Sequence, residues 1–238
     1  MTEWFQLSPF EWSALRLSLI VAIWAVTISL PFGIALAWVM ARKQFPGKFL
    51  LDGLLHLPLV VPPVVVGYCL LVLFGRNGAL GSWLESIGIT LAFDWKGAVL
   101  AAAVMAFPLM VRAIRLSIES IDLGLEAAAR TLGAKPLRVF FTITLPLALP
   151  GVLSGFILAF ARCLGEFGAT ITFVSNIPGE TQTLPLALYT YTQIPDGETG
   201  ALKLCLIAIA IAILALIASE FCARWLQTRT QSENRRAD

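Results

Sequence analysis

The uncharged runs decide what this chain can fold into. Residues 17–41 contain no Asp, Glu, Lys or Arg, and the same is true of 53–75, 97–111, 139–161 and 204–219. A helix needs about 20 apolar residues to cross the hydrocarbon core of a bilayer. The third and fifth runs are short, but their flanks extend them. Lys96, Arg112, Arg115, Lys203 and Arg224 can snorkel to the interface on long stems, with Trp95 and Trp225 in the aromatic belts. Composition agrees: 58% of residues are hydrophobic and 13% charged, whereas a soluble domain is about half apolar and about a quarter charged. The expected architecture is an all-α membrane protein, a single domain over 1–238. It is a polytopic helical bundle with spans near 12–41, 50–75, 96–117, 139–164 and 201–225.

Basic residues give the direction. Arg42, Lys43 and Lys48 follow the first run, and Arg112, Arg115, Arg130, Lys135 and Arg138 follow the third. Arg224, Arg229, Arg235 and Arg236 close the tail, which places 12 of the 17 Lys and Arg on one side. Arg16, Arg76, Lys96 and Lys203 lie on the other, and Arg162 falls within a span. By the positive-inside rule the basic side is cytoplasmic. The N-terminus then faces out, the C-terminus faces in, and five crossings fit. The acidic and aromatic N-terminus lacks the basic start of a cleavable signal.

Residues 165–200 break the pattern. The segment is interrupted by Gly and Pro, contains no Lys or Arg, and should begin and end outside. Two readings fit it: a re-entrant element lining a cavity, or an ordinary external loop.

Between the third and fourth spans, Ile121, Leu125, Ala128, Ala129 and Leu132 recur at helical spacing. Asp122 suits an N-cap, Glu126 suits the helix dipole, Gly133 suits a left-handed stop, and Pro136 prevents continuation. A short cytoplasmic helix over 122–133 follows. Its small side chains would let another protein's backbone approach closely, and a helix resting on lipid fits the same residues.

The spacing Ala-Ala-x3-Gly-x9-Ile-x-Leu-Pro, which falls on Ala128 and Ala129, or one residue earlier, then on Gly133, Ile143, Leu145 and Pro146, resembles the EAA signature of permease subunits of ATP-binding-cassette importers. Counted back from Gly133, the signature's acidic position is Ala127, and the glutamate of this chain lies one residue upstream at Glu126. The stretches 45–68, 106–120, 129–147 and 161–185 resemble the molybdate importer permeases. Sulfate and tungstate permeases share parts of the pattern, notably Leu164 to Ala169. The resemblance implies a type I importer permease fold in the bacterial inner membrane, N-terminus periplasmic and C-terminus cytoplasmic. It further implies a homodimer of permease subunits, two cytoplasmic ATPase subunits and a periplasmic molybdate-binding protein, with lipid around the spans and no nucleic acid. Leu125, Glu126, Ala127, Ala128, Ala129, Arg130 and Gly133 would then couple the chain to the ATPase. The tail beyond Trp225 is too short for a regulatory domain of the kind that binds substrate from within.

The residues agree from another direction. No G-x4-G-K-S/T phosphate loop is present, because Gly47-Lys48 is followed by Phe49 and lacks the earlier glycine. No cofactor is expected on this chain; ATP belongs to a partner. One histidine, His56, and scattered acids assemble no catalytic set or metal cluster, so neither a catalytic residue nor a metal site is assigned. Cys69, Cys163, Cys205 and Cys222 lie in or beside apolar stretches as small hydrophobes. Pro58, Pro62, Pro63, Pro108, Pro146 and Pro150 offer bends, and Pro62-Pro63 is the best candidate for a break lining the pathway. Thr170, Thr172, Ser175, Asn176 and Thr181 supply neutral donors for an oxyanion near the outer mouth. Arg162 and Glu166 are one helical turn apart, as an internal ion pair or with Arg162 attracting the anion.

Overall fold

A computed structural model describes the backbone of residues 7–237 and the side chains of 7–218, 220 and 221. The readings placed on residues 1–6 and on the side chains of Cys222, Trp225, Arg224, Arg229, Arg235 and Arg236 lie outside the described residues. Regular structure among the described residues is helical: α1 (Pro9–Arg42), α2 (Lys48–Val60), α3 (Pro63–Phe74), α4 (Gly81–Ser86), α5 (Trp95–Glu119), α6 (Leu123–Thr131) and α7 (Pro136–Val139). A π-turn at Phe140–Thr144 leads into α8 (Leu145–Leu164), followed by α9 (Gly168–Val174), α10 (Leu184–Thr192) and α11 (Glu198–Ala237).

Local chemistry sets the ends of α1. Ser8 and Glu11 form a reciprocal capping box: the Glu11 amide donates to Ser8 Oγ at 3.2 Å and the Ser8 amide to Glu11 Oε2 at 2.7 Å. At 34 residues and about 1.5 Å per residue, α1 is about 50 Å long. Among the described residues, four stretches are long and apolar enough to cross a membrane: Pro9–Arg42, Trp95–Glu119, Pro136–Leu164 and Glu198–Ala218.

The second expected span is not one helix. α2 and α3 meet at Val61 and Pro62 with a bend of 111°. A residue before proline is pushed out of the α region, and here two prolines follow in succession. Val61 (φ −73°, ψ 138°) and Pro62 (φ −52°, ψ 133°) are both extended, and Pro63 starts α3. Neither half, of 13 and 12 residues, reaches across alone. The expected fifth crossing exists only if the bent pair is counted as one. By contrast Pro58, Pro108 and Pro150 sit inside continuous helices.

α5 is the centre of the bundle, packed on α1 and α8. Small residues make that close approach. Ala22, Ala25 and Ala37 of α1 and Ala98, Ala101, Ala102 and Ala106 of α5 are all buried. Gly155 of α8 lies so close to α5 that a Cβ there would stand 3.0 Å from the Met110 carbonyl. Cys163 is buried, as a small hydrophobe, with Sγ 3.5 Å from the Ala102 carbonyl oxygen. Trp95, at the start of α5, packs half-buried against this core. Arg115, expected to snorkel, is held between Asp52 of α2 at 2.9 Å and Glu119 at 2.7 Å.

Residues 165–200 fold into two short helices of seven and nine residues packed into the bundle. α9 lies on α3 and α5, and α10 on α11 and α1. Phe173, Val174, Leu186 and Ala187 are fully buried, so the segment is integral to the core and not a solvated loop.

Candidate functional site

Two groups of predicted residues lie at opposite ends of the bundle. α6 lies where α1 finishes, through Arg42. α9 and α10 lie toward its start, where the Leu184 amide donates to Ser18 Oγ at 2.6 Å and Tyr191 reaches Glu11 at 3.4 Å.

At the α6 end, sequence and structure agree on the helix boundaries for the anticipated reasons. Asp122 caps the start, its Oδ1 accepting from the Gly124 amide at 2.8 Å. At the other end the Ala134 amide donates to the Ala129 carbonyl and the Gly133 amide to the Arg130 carbonyl, at 3.0 and 2.9 Å. That pair of bonds is the Schellman stop, and it places Gly133 at φ +84°, where an L side chain is strained. Leu123, Leu125, Leu132 and Leu137 are exposed, Leu132 by 89%. Ala127, Ala128 and Arg130 are exposed with them, and Ala129 is half-buried. An apolar ledge of this kind on a polar end of a molecule marks a contact surface.

Glu126 departs from the expectation. The resemblance places it among the docking residues, yet it is the one buried residue of α6. Its Oε1 accepts from Arg42 Nε at 3.0 Å and from Thr144 Oγ1 at 2.9 Å, and Arg130 approaches Oε2 at 3.6 Å. The reason is rotational. One residue of displacement along a helix is about 100° of turn, so the shift from position 127 to 126 carries the acid from the outward face to the inward one. Ile143 and Leu145 of the motif are half-buried beside this point and Pro146 is exposed. Arg42 and Thr144 were not anticipated as partners. The only signal for Arg42 was a cation closing a long uncharged run.

At the other end Thr172, Asn176 and Thr181 bond within their own segment. Thr181 Oγ1 accepts from the Ile177 amide at 2.9 Å and donates to the Ser175 carbonyl at 3.3 Å. Asn176 Nδ2 donates to Thr190 Oγ1 at 2.9 Å, and Gln182 Nε2 to Asn176 Oδ1 at 2.8 Å. Thr172 Oγ1 donates back to the Gly168 carbonyl at 2.9 Å, and Thr170 is buried. Ser175 stands at φ +66°, a strained setting for a non-glycine residue. The bonds among Asn176, Gln182 and Thr190 tie the connection that follows α9 to α10.

Arg162 and Glu166 form the ion pair, Nη1 to Oε2 at 2.7 Å, with the Glu166 side chain 2% exposed. Glu166 Oε1 also accepts from the Ala169 amide at 2.9 Å, so the pair fixes the turn between α8 and α9. α9 in turn lies against α3 just beyond the proline break. A Cβ on Gly67 would come within 2.8 Å of Ala169 Cα, and one on Gly168 within 2.8 Å of Pro63 Cβ. Pro62 and Pro63, together with Val64, Val65 and Tyr68, are exposed.

Comparison with known proteins gives one answer. The family described as "Binding-protein-dependent transport system inner membrane component" matches residues 29–232. The molybdenum transport system permease protein ModB of Escherichia coli (strain K12) is 66% identical over 215 residues, covering 90% of this chain and 94% of that relative. The ModB of Haemophilus influenzae is 59% identical, covering 94% and 96%. The sulfate transport system permease protein CysW of Synechococcus elongatus is more distant at 39%, covering 93% and 76%. Among solved structures, a bacterial importer of the acidic polysaccharide alginate superposes with a TM-score of 0.72 at 17% identity, covering 94% of this chain and 82% of that one. The all-helical bundle is thus the fold of the importer permeases, and the chain belongs to the binding-protein-dependent transport system inner membrane component family.

Proposed function

We propose that this chain is the membrane-spanning permease subunit of an ATP-driven importer that carries molybdate across the bacterial inner membrane by alternating access. It works as a homodimer bound to two cytoplasmic ATPase subunits and receives the oxyanion from a periplasmic binding protein. The observation that carries the reading is α6: a doubly capped helix at the arginine- and lysine-rich end of the bundle, presenting Leu123, Leu125 and Leu132 outward. That end is cytoplasmic by the positive-inside rule, which places the N-terminus in the periplasm. The chain has no phosphate loop of its own, so ATP is held and hydrolysed by the partner and no cofactor belongs here.

The substrate assignment follows the 66% and 59% identical molybdenum permeases. In the outer half, the α9–α10 unit moves as one body against the α2–α3 corner at Pro62 and Pro63 and forms the gate. Thr172, Asn176, Thr181, Gln182 and Thr190 already bond within the segment, so the unit opens a path by displacement and not by ligating the anion residue by residue. The exposed apolar face at Pro62, Val64, Val65 and Tyr68 faces the second permease subunit. Sulfate is the second reading, supported by the 39% identical sulfate permease.

The test is reconstitution of the full chain with the ATPase and binding protein in proteoliposomes. ATP hydrolysis stimulated by loaded binding protein, with molybdate accumulating and sulfate not, is the expected result. Failure to co-purify any ATPase would overturn the transporter reading, and accumulation of sulfate alone would transfer the assignment to the second. Single cysteines at Thr170, Thr172, Ser175, Asn176 and Thr181, probed with a water-soluble thiol reagent, should change labelling with nucleotide state. Constant labelling at all five would remove the gate from this unit.

A further inference from the structure

α6 is seated on the rest of the molecule in an unusual way. A short helix is ordinarily held by an apolar stripe, yet α6 buries one residue only, and that residue is a carboxylate. An unpaired buried charge is costly, and Glu126 is paired twice. Arg42 Nε at 3.0 Å comes from the last residue of α1, and Thr144 Oγ1 at 2.9 Å comes from the end of the π-turn that feeds α8. Arg42 extends the junction by donating from Nη2 to the Ile121 carbonyl, just before α6, at 3.3 Å. The Arg42 side chain is only 9% exposed and Thr144 is 1% exposed. One turn back along α1, Trp38 stacks edge-on against Phe140 of the same π-turn, ring centres 5.6 Å apart.

We infer that Glu126 is the positioning residue through which force on α6 reaches the spans, its junction with Arg42 and Thr144 moving α1 and α8 together. The inference rests on the importer reading for what pushes α6. The geometry supports it independently, because α6 has no other buried side chain by which a load on its outer leucines could pass inward. A π-turn is a local widening of the helix ladder and is found at functional sites. It gives the foot of α8 a place to yield when Thr144 is pulled.

Two readouts on the full-length chain separate the possibilities. The first is amide hydrogen exchange on the chain in nanodiscs, which needs no partner. Glu126→Ala should speed exchange in α6 by at least about tenfold, since it removes both hydrogen bonds to the carboxylate and leaves Arg42 without its ion-pair partner, while α5 is unchanged. The second is molybdate uptake per ATP hydrolysed in the reconstituted complex, which should fall by about fivefold or more while the ATPase stays bound and active. Should Glu126→Ala fail to assemble, Thr144→Val keeps the ion pair and carries the same expectation, and Thr144→Ser should restore wild-type coupling. Unchanged exchange in α6 refutes the junction. Faster exchange with unchanged uptake per ATP refutes the coupling role and leaves an anchor. If the wild-type complex neither hydrolyses ATP nor takes up oxyanion, the importer reading falls while exchange still judges the junction.

Discussion

Removing the charge of Arg162 should destabilise the protein more than removing the charge of its partner, and the structure gives the asymmetry a magnitude. Glu166 is 2% exposed and Arg162 26% exposed at the side chain. Arg162→Gln leaves a buried carboxylate with one remaining bond, from the Ala169 amide. Breaking a buried pair in this sense costs about 3–5 kcal/mol. The amide bond and the partly open setting of Arg162 favour the lower end, about 3 kcal/mol. Glu166→Gln instead leaves a cation on a long stem that can turn toward water, at about 1 kcal/mol. The double substitution removes both charges and should resemble Glu166→Gln alone, giving a coupling energy of about 3 kcal/mol in magnitude. Equilibrium unfolding of the four proteins in mixed detergent measures this cycle, with molybdate uptake followed in parallel. If Arg162→Gln stays within about 0.5 kcal/mol of wild type and uptake is nevertheless lost, the structural reasoning is wrong and Arg162 acts on the anion.

Three further outcomes are expected. Leu132 is 89% exposed, so Leu132→Glu should change fold stability by less than about 0.5 kcal/mol while weakening retention of the ATPase partner at least about tenfold in pull-down titrations. Gly133 has open space around it but stands at φ +84°; Gly133→Val should therefore cost about 1–2 kcal/mol through backbone strain alone, and Gly133→Asn should be tolerated, as read from hydrogen exchange in α6. Gly67→Leu drives a side chain into the Ala169 backbone and should lower stability by about 1–3 kcal/mol, with uptake lost because α3 and α9 can no longer pack.

Elements governed by local sequence were legible in advance. The uncharged runs, the cap at Asp122, the stop at Gly133 and the proline pair each act through the backbone of neighbouring residues, and α1, α5, α6 and the break at Pro62 appear where that chemistry puts them. The sharpness of the break was not legible, because a proline pair ends a helix without setting an angle, and the 111° bend accompanies close packing of α3 on α9 at Gly67 and Gly168. For 165–200 the sequence left a re-entrant element and an external loop both open, and the packing favours the first: Asn176, Thr181, Gln182 and Thr190 bond within the segment while Phe173, Val174, Leu186 and Ala187 are buried.

What the sequence determined by itself is the membrane class, the approximate spans and the position of α6, since hydropathy and capping are properties of consecutive residues. Tertiary structure decided what the charged groups are for. Arg42 and Glu126 are 84 positions apart, and Glu126 and Thr144 18 apart, so no spacing rule joins them. Helical rotation turns a one-residue displacement of a glutamate into a change of face, and only the packing of α1, α6 and the π-turn around that face reveals a buried junction in place of a surface contact.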